Sequence, residues 1–420
     1  MRSTADVAIV GAGLRFVTCR SSGGRGGGSA EIRTADGELA KPHAGRHAAE
    51  VRSFCFKPLR CTDFFTLERY SAECSIRYSE SEPVQLDTFC DYGLAFQKRF
   101  VPGLEEVQVT SVARGDGEFT LQLETGDMAR ARRVVLAVGA GPFKYVPEPL
   151  SGLPECFVSH SFDHHDLSRL SVLRVAVIGG GSSAIDLAAL LRGRGCDVTL
   201  VSRRASLKFS NAAGPRSGAR PSLWRRLRHP SSGLGPGLRS RFSTDAPLLI
   251  HALPRRLRFE FARRHLGPAA SGVMKDKVIG RVPLLLDREL GAATIEDGRV
   301  ALSLRDRAGQ VESLHVEHVV AATGFCIDVR RLDCVSPSLR KEIATFEQTP
   351  ILSSSFETSV PGLYLIGPAA AASFGPLLRF SFGARYAARR LTRALARAKR
   401  THGKRAGAAS TLAASAETGV

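Results

Sequence analysis

The run Gly179-Gly180-Gly181-Ser182-Ser183-Ala184 has the residue types and spacing to hold a pyrophosphate. It follows the apolar run Arg174 to Ile178 and opens the apolar helical stretch IDLAALLRGRG, so a strand feeds it and a helix leaves it. Gly179 permits the tight turn, Gly181 lets the backbone approach phosphate, and Ala184 lets the helix pack close to the sheet. At the helix start, Ser182 and Ser183 lie where free N–H groups and the positive end of the helix dipole face an anion. About twenty residues after such a turn, a fold that binds NADH places a carboxylate for the ribose hydroxyl. Here the next strand ends in Val201-Ser202-Arg203-Arg204, with no acid and two arginines. A guanidinium suits a 2′-phosphate, so this spacing favours NADPH; the alternative is that Arg203 and Arg204 only begin a solvated loop.

The same chemistry is begun at the N-terminus, where VAIV leads into Gly11-Ala12-Gly13-Leu14-Arg15-Phe16. Phe16 stands where a small residue should allow the helix to touch the strand. Gly23, Gly24, Gly26, Gly27 and Gly28 then fall where the phosphate-binding helix should run. At about 1 kcal/mol for each interior glycine, roughly 5 kcal/mol of helix propensity is missing, so this first site is compromised as written. Two further runs, VVLAVG at 134–139 and VVAATG at 319–324, each bring a buried strand to a small-residue turn of the kind that crosses beside a dinucleotide. They make Ala137, Gly139, Thr323 and Gly324 candidates. VPGLYLIGPAA adds a returning strand whose end, Gly367-Pro368, offers backbone N–H groups near a flavin. The order of the five segments carries more than any one of them.

Two parallel βαβ units must position these turns, one near residue 7 and one near 175. Short alternating runs at 106–138 and 299–324 read as meanders, with Gly115-Asp116-Gly117 and Gly126-Asp127 as turns. The fold class expected is α/β, with two Rossmann-like dinucleotide-binding domains of the three-layer ββα kind and the NADPH domain inserted in the FAD domain. The expected limits are 1–150 and 345–400 for the FAD domain, with 14–62 anomalous, 171–325 for the NAD(P)H domain, and 401–420 as a disordered tail. A basic helix is expected over about 382–400, and the Pro/Gly/Arg-rich stretch 205–245 reads as loop.

With 420 residues, 43% of them hydrophobic, there is chain enough for several cored units. Nine cysteines form no CxxC pair, which argues against dithiol chemistry and for a reducing, cytoplasmic compartment. The apolar run near 362–378 is broken by Gly367-Pro368 and Gly375-Pro376, so no membrane span is expected. The net charge of +19 raises a nucleic-acid partner, but no zinc finger, RNP motif or heptad accompanies it, and a solvated basic face or a phosphate site is the preferred reading. No metal cluster is expected. The acids and histidines of FDHHDLS (Asp163, His164, His165, Asp166) read as a solvated helix start.

The ordered segments resemble the two-dinucleotide-binding flavoproteins, and among them the NADPH-dependent flavin monooxygenases with their lysine/ornithine N-hydroxylase-like branch. VIGGGSSAIDLA is similar to that family's NADPH turn, with Ser183 at its usual serine. AATGF is similar to the ATGY of N-hydroxylating enzymes, with Phe325 in place of tyrosine. LPECFVSHSFD resembles the linker fingerprint, which maps its histidine to His160; a loop histidine held by packing is the other reading. The resemblance covers about residues 5–13 and 63–395. It implies FAD and NADPH as cofactors, and a small-molecule substrate with O2. It further implies hydride transfer to FAD and a C4a-hydroperoxyflavin acting on an amine or another soft nucleophile, chemistry that belongs to the cofactor and leaves catalytic residues unassigned. Two alternatives stay open: an NADPH-dependent flavin reductase or dehydrogenase, and a non-catalytic dinucleotide-binding protein with a damaged FAD site. Residues 14–62 depart from the family. Back-translated with codons chosen among the permitted ones and read one nucleotide later, Leu39 to Arg52 can give WRSHMPAGMLLKS, similar to the family's WRxHMPxGMxLKS. A compensated frame slip between about Leu14 and Cys61 accounts for both.

Overall fold

A computed structural model of the chain describes residues 4–11, 65–78, 84–101, 103–164, 166–210, 231–232, 235–264 and 270–398, and the backbone of 31–33. Two sheets organise it. In the first, the order is Leu363–Leu365, Val134–Leu136, Ala8–Val10, Glu31–Arg33, Leu104–Gly115, Glu118–Leu123, Met128–Ala131. The first five strands are parallel, and the last two continue antiparallel. Leu104–Gly115 belongs to both regimes: it starts beside Glu31–Arg33, then reverses through Asp116 (φ 48°) and Gly117 (φ 79°) into its antiparallel partner. Both turn residues have the left-handed backbone that the Asp-Gly pair tolerates.

The second sheet is parallel throughout, in the order Leu284–Leu286, Asp197–Ser202, Arg174–Ile178, His318–Ala321, Val158–His160. Its strands come from between those of the first, since Leu363–Leu365 returns to pair with Val134–Leu136. Its edge strand Val158–His160 lies upstream of the 171–325 span expected for this unit. Alternation along Arg174–Ile178 makes three layers. Val175 and Val177 pack with Ala184, Ile185, Ala188 and Leu191 of the helix Ser182–Gly193. Ala176 and Ile178 point the other way, against Val300, Leu302, Leu304 and Val316 of the meander Glu289–Glu296, Arg299–Arg305, Val311–Val316. Fully burying an aliphatic side chain is worth about 1.5–3 kcal/mol, so two buried faces, and not local propensity, fix this strand.

The helix Ser182–Gly193 ends where its backbone bonds are closed by Gly195 (φ 84°), with Cys196 N–H donating to Leu191 O at 3.1 Å and Gly195 N–H to Arg192 O at 3.0 Å. This left-handed glycine turns the chain into Asp197–Ser202. The two sheets are joined by a pair of crossings that run side by side: Tyr145 N–H donates to Gly324 O at 3.0 Å, and Cys326 N–H to Phe143 O at 2.8 Å. The segment expected as loop through residue 245 is helical from Leu238. Helices Leu238–Asp245, Pro247–Ala252 and Arg255–Arg264 follow one another. Pro247 starts the second, and the ion pairs Arg241 with Asp245 and Arg264 with Glu260 support the first and third. Tertiary contact overrides the local glycine and proline signal: the His251 ring stacks on Phe374 at 4.7 Å, and Arg258 donates to His251 O at 2.9 Å. The basic helix spans 384–398.

Candidate dinucleotide sites

The second glycine turn is built by close approach. A Cβ on Gly179 would lie 2.3 Å from Ala322 O, and the Ala184 Cβ is 3.2 Å away. Ala322 N–H in turn donates to Ile178 O at 2.9 Å. Only glycine fits between the strand end and the crossing, and a small residue at 184 keeps the helix against it. Gly180 is closed differently, since its Cβ would meet Ser202 Oγ at 2.4 Å. Gly181 caps the helix, and a Cβ there would meet nothing within 4 Å. The open side of Gly181 therefore leaves room for a ligand at the helix start. Ser182 is half-buried and Ser183 exposed at the first turn, which has no side-chain cap.

Arg203 and Arg204 lie across this turn at the end of Asp197–Ser202, both exposed. Arg204 Nη1 donates to Gly180 O at 3.2 Å, and Arg204 N–H to Ser202 Oγ at 3.1 Å. Arg203 has no hydrogen bond or ion pair among the described residues, which leaves its guanidinium as the cation able to meet a phosphate. The nearest strand turn brings Asp287 up to Arg204, but its carboxylate is held by Arg307 at 2.7 Å.

The first turn repeats the contact. Gly11 has φ 110°, and its Cβ would lie 2.5 Å from Ala137 O, while Ala137 N–H donates to Val10 O at 2.7 Å. Gly11 with Ala137 thus corresponds to Gly179 with Ala322. Gly139 (φ 72°) has open space at its Cβ position. Gly367 (φ 75°) and Pro368 are buried just beyond Leu363–Leu365, where Ile366 N–H donates to Leu136 O at 3.1 Å. Ala12, Gly13 and the segment that follows them lie outside the described residues.

Thr323 and Gly324 hold the paired crossings. Thr323 Oγ1 donates to Tyr145 O, and Gly324 O accepts from Tyr145 N–H and from His160 Nε2 at 3.0 Å. His160 is 2% exposed; its Nδ1 accepts from Phe162 N–H at 3.1 Å, so the proton resides on Nε2 and the ring is neutral. Burial lowers its pKa below the ordinary imidazole value, against the opposing effects of Gly324 O and Asp163. Burial alone would raise the pKa of Asp163, but hydrogen bonds from Lys144 Nζ at 2.6 Å and His160 N–H at 3.1 Å outweigh it and hold the carboxyl below its ordinary value.

Within FDHHDLS, Phe162 and Asp163 lie in a turn and Asp166 opens the short 3-10 helix Ser168–Leu170, as a helix start would; His165 lies outside the described residues. Asp163 joins Lys144, His164 Nε2 lies 2.7 Å from Ser159 Oγ, and Asp166 accepts from Ser168 N–H at 2.9 Å. His318 Nε2 reaches the same Ser159 Oγ at 2.7 Å from the neighbouring strand. No spacing in the sequence links residue 144 to 163 or 159 to 318, because the sheet alone brings them together.

Residues 67–220 match the family model described as pyridine nucleotide-disulphide oxidoreductase. Ferredoxin–NADP reductase of Acidiphilium cryptum is 34% identical over 113 residues, 26% of this chain and 32% of that protein. The chain thus spans about a third of the length of the curated relatives of this kind. Among solved structures, the FAD-bound cadaverine monooxygenase of Erwinia amylovora superposes with TM-score 0.68 at 16% identity, covering 94% of this chain and 95% of the other. The ornithine N-hydroxylase of Kutzneria sp. 744 gives 0.67 at 16%, covering 94% and 100%. The chain has the two-dinucleotide-binding flavoprotein fold. Within that fold, the two glycine–crossing contacts lie at the carboxyl ends of the parallel strands, where open α/β sheets leave a crevice for a ligand. Among the described residues, Cys74, Cys90, Cys156, Cys196, Cys326 and Cys334 form no disulfide.

Proposed function

We propose that this chain is an FAD- and NADPH-dependent oxidoreductase, a monooxygenase that uses O2 on a small amine or another soft nucleophile. The observation that carries the reading is the repeated contact, Gly11 on Ala137 and Gly179 on Ala322, within one chain. The second turn fits its cofactor: Gly181 has open space at its Cβ position, the first helical turn has no side-chain cap so its N–H groups are left for a pyrophosphate, and Arg203 is placed for a 2′-phosphate. Arg204 orients the turn by holding Gly180 O. The first half fits FAD in its strand, its crossing at Ala137 to Gly139 and its return at Gly367 and Pro368. FAD, when bound, supplies the acceptor for hydride from NADPH and the reduced ring that meets O2. The chain's own part is to bind, orient and exclude water, with neutral His160 holding the crossing at Gly324.

The amine reading is supported by the names of the structural neighbours, a cadaverine monooxygenase and an ornithine N-hydroxylase. The ferredoxin–NADP reductase relatives favour a second reading, a flavin reductase that avoids O2. We take 1–150 with 345–400 as the FAD domain and 171–325 as the NADPH domain. Free cysteines support a cytoplasmic setting, and among the described residues no helix is long and apolar enough to cross a membrane.

Calorimetric titration with both nicotinamide dinucleotides tests the site. NADPH should bind more tightly than NADH, and Arg203→Ala should weaken NADPH about tenfold or more while leaving NADH nearly unchanged, with the Arg204 contact to Gly180 O kept intact. Equal affinities in the unaltered chain would overturn the assignment.

A further inference from the structure

A cleft of about 680 Å³ opens between the helix Leu238–Asp245, with Leu248 just beyond it, and the C-terminal helix 384–398. No residue of either glycine turn or of the crossings at 137–139 and 322–324 lines it. Its apolar side is Leu248, Leu377, Phe382 and the ring of Tyr386. Along its other side run Arg385, Arg389, Arg393 and Arg397, four residues apart on one helix, a row of roughly 18 Å. Arg385, Arg389 and Arg397 have partners of their own, and Arg393 stands between Arg389 and Arg397 on the same helix face.

Two acids also line the cleft, and both are engaged elsewhere. Asp245 pairs with Arg241 Nε at 3.1 Å, and Glu357 accepts from Gly362 N–H at 2.8 Å. Arg393 is exposed and has no ion pair or hydrogen bond among the described residues. The hydroxyl of Tyr386 is covered and has no acceptor there. Leu248 is 40% exposed, apolar surface presented at the mouth of a cationic cleft.

We propose that this cleft binds a free amphiphilic anion, with an acyl chain along the apolar side and a carboxylate or phosphate head among Arg389, Arg393 and Arg397. The volume falls in the range of small-molecule sites. Guanidinium groups match the oxygens of either head, and charge complementarity selects an anion over a neutral lipid. A concave cleft admits one amphiphile and not the flat surface of a bilayer. This site is independent of the dinucleotide reading.

The test is calorimetric titration of the full chain with monomeric dodecanoate and dodecyl phosphate, beside decanol, inorganic phosphate and vesicles of phosphatidylglycerol in phosphatidylcholine. Saturable equimolar binding of both anions is expected, weakened about tenfold by Arg393→Glu and less by Arg393→Gln, with decanol and inorganic phosphate binding weakly. A circular-dichroism melt of each variant separates lost binding from lost fold, and the milder Arg393→Gln serves if the charge reversal unfolds. Binding unchanged in a folded variant, equal binding of decanol or inorganic phosphate, or binding to vesicles alone would each overturn the proposal.

Discussion

His160 is held neutral by geometry: one ring nitrogen accepts from Phe162 N–H and the other donates to Gly324 O, so a second proton has no acceptor. Burial likewise lowers the pKa of His318, whose Nδ1 donates to Cys156 O at 3.0 Å and whose Nε2 accepts from Ser159. Because both folded-state values lie below the ordinary 6.5, the unfolded chain holds more protons than the folded one just beneath that pH. Stability should therefore be full above about pH 6.5 and fall as the pH drops through it, until the lowered folded-state values are reached. Urea unfolding at steps between pH 7.5 and 5 reads this slope, and His160→Asn with His318→Asn should make it shallower, the remainder belonging to His251, whose pKa burial also lowers. An unchanged slope in the double variant would refute the account. The sequence made His160 visible through its linker resemblance, but not its partners. Lys144, Asp163, Ser159 and His318 reach this corner from separate strands and crossings, and only the assembled sheet sets their distances.

At the scale of elements, the strands and turns around both sites were legible because burial and period agree. Val175 to Ile178 is buried on both faces and reads as a continuous apolar run; Asp116-Gly117 reverses the chain where the dipeptide says it should. The helices from Leu238 to Arg264 were not legible, since their local signals are glycine, proline and arginine, and the stacking of His251 on Phe374 that packs the second of them is encoded in no local pattern. The glycine turn separates fold from binding residue by residue. Gly179→Ala drives a Cβ against the Ala322 carbonyl, and overpacking of that kind should cost about 1–3 kcal/mol. Gly181→Ala meets nothing in the protein, so its stability should hold while NADPH binding weakens, because the new methyl group occupies the approach to the helix N-terminus. Chemical denaturation and dinucleotide titration of the two variants check the contrast. Equal destabilisation by both would show that the open side of Gly181 is not a binding surface.

On the proposed function the whole molecule needs both dinucleotides at once, and its two halves are unequal in their sequence. The second turn has its strand, glycines, helix and arginines in one uninterrupted run. The first has a strand, a crossing and a return that repeat the same contacts, followed by Phe16 and the glycines from Gly23 to Gly28 in place of a helix-forming segment. Some 5 kcal/mol of missing helix propensity weighs against the N–H array that a flavin pyrophosphate requires. The shifted reading of Leu39 to Arg52 as WRSHMPAGMLLKS gives a physical route by which the segment departs while the rest of the chain keeps its pattern. The chain as written should therefore purify with little flavin. A version carrying residues 14–62 in the shifted frame should purify yellow and consume NADPH in the presence of O2. Visible absorbance of the two proteins, followed by NADPH oxidation with and without candidate amines, decides the matter. Stoichiometric flavin on the chain as written would refute both the frame slip and the damaged first site, and would strengthen the enzyme reading. A restored chain that remains colourless, yet binds NADPH, would favour the non-catalytic dinucleotide-binding protein instead.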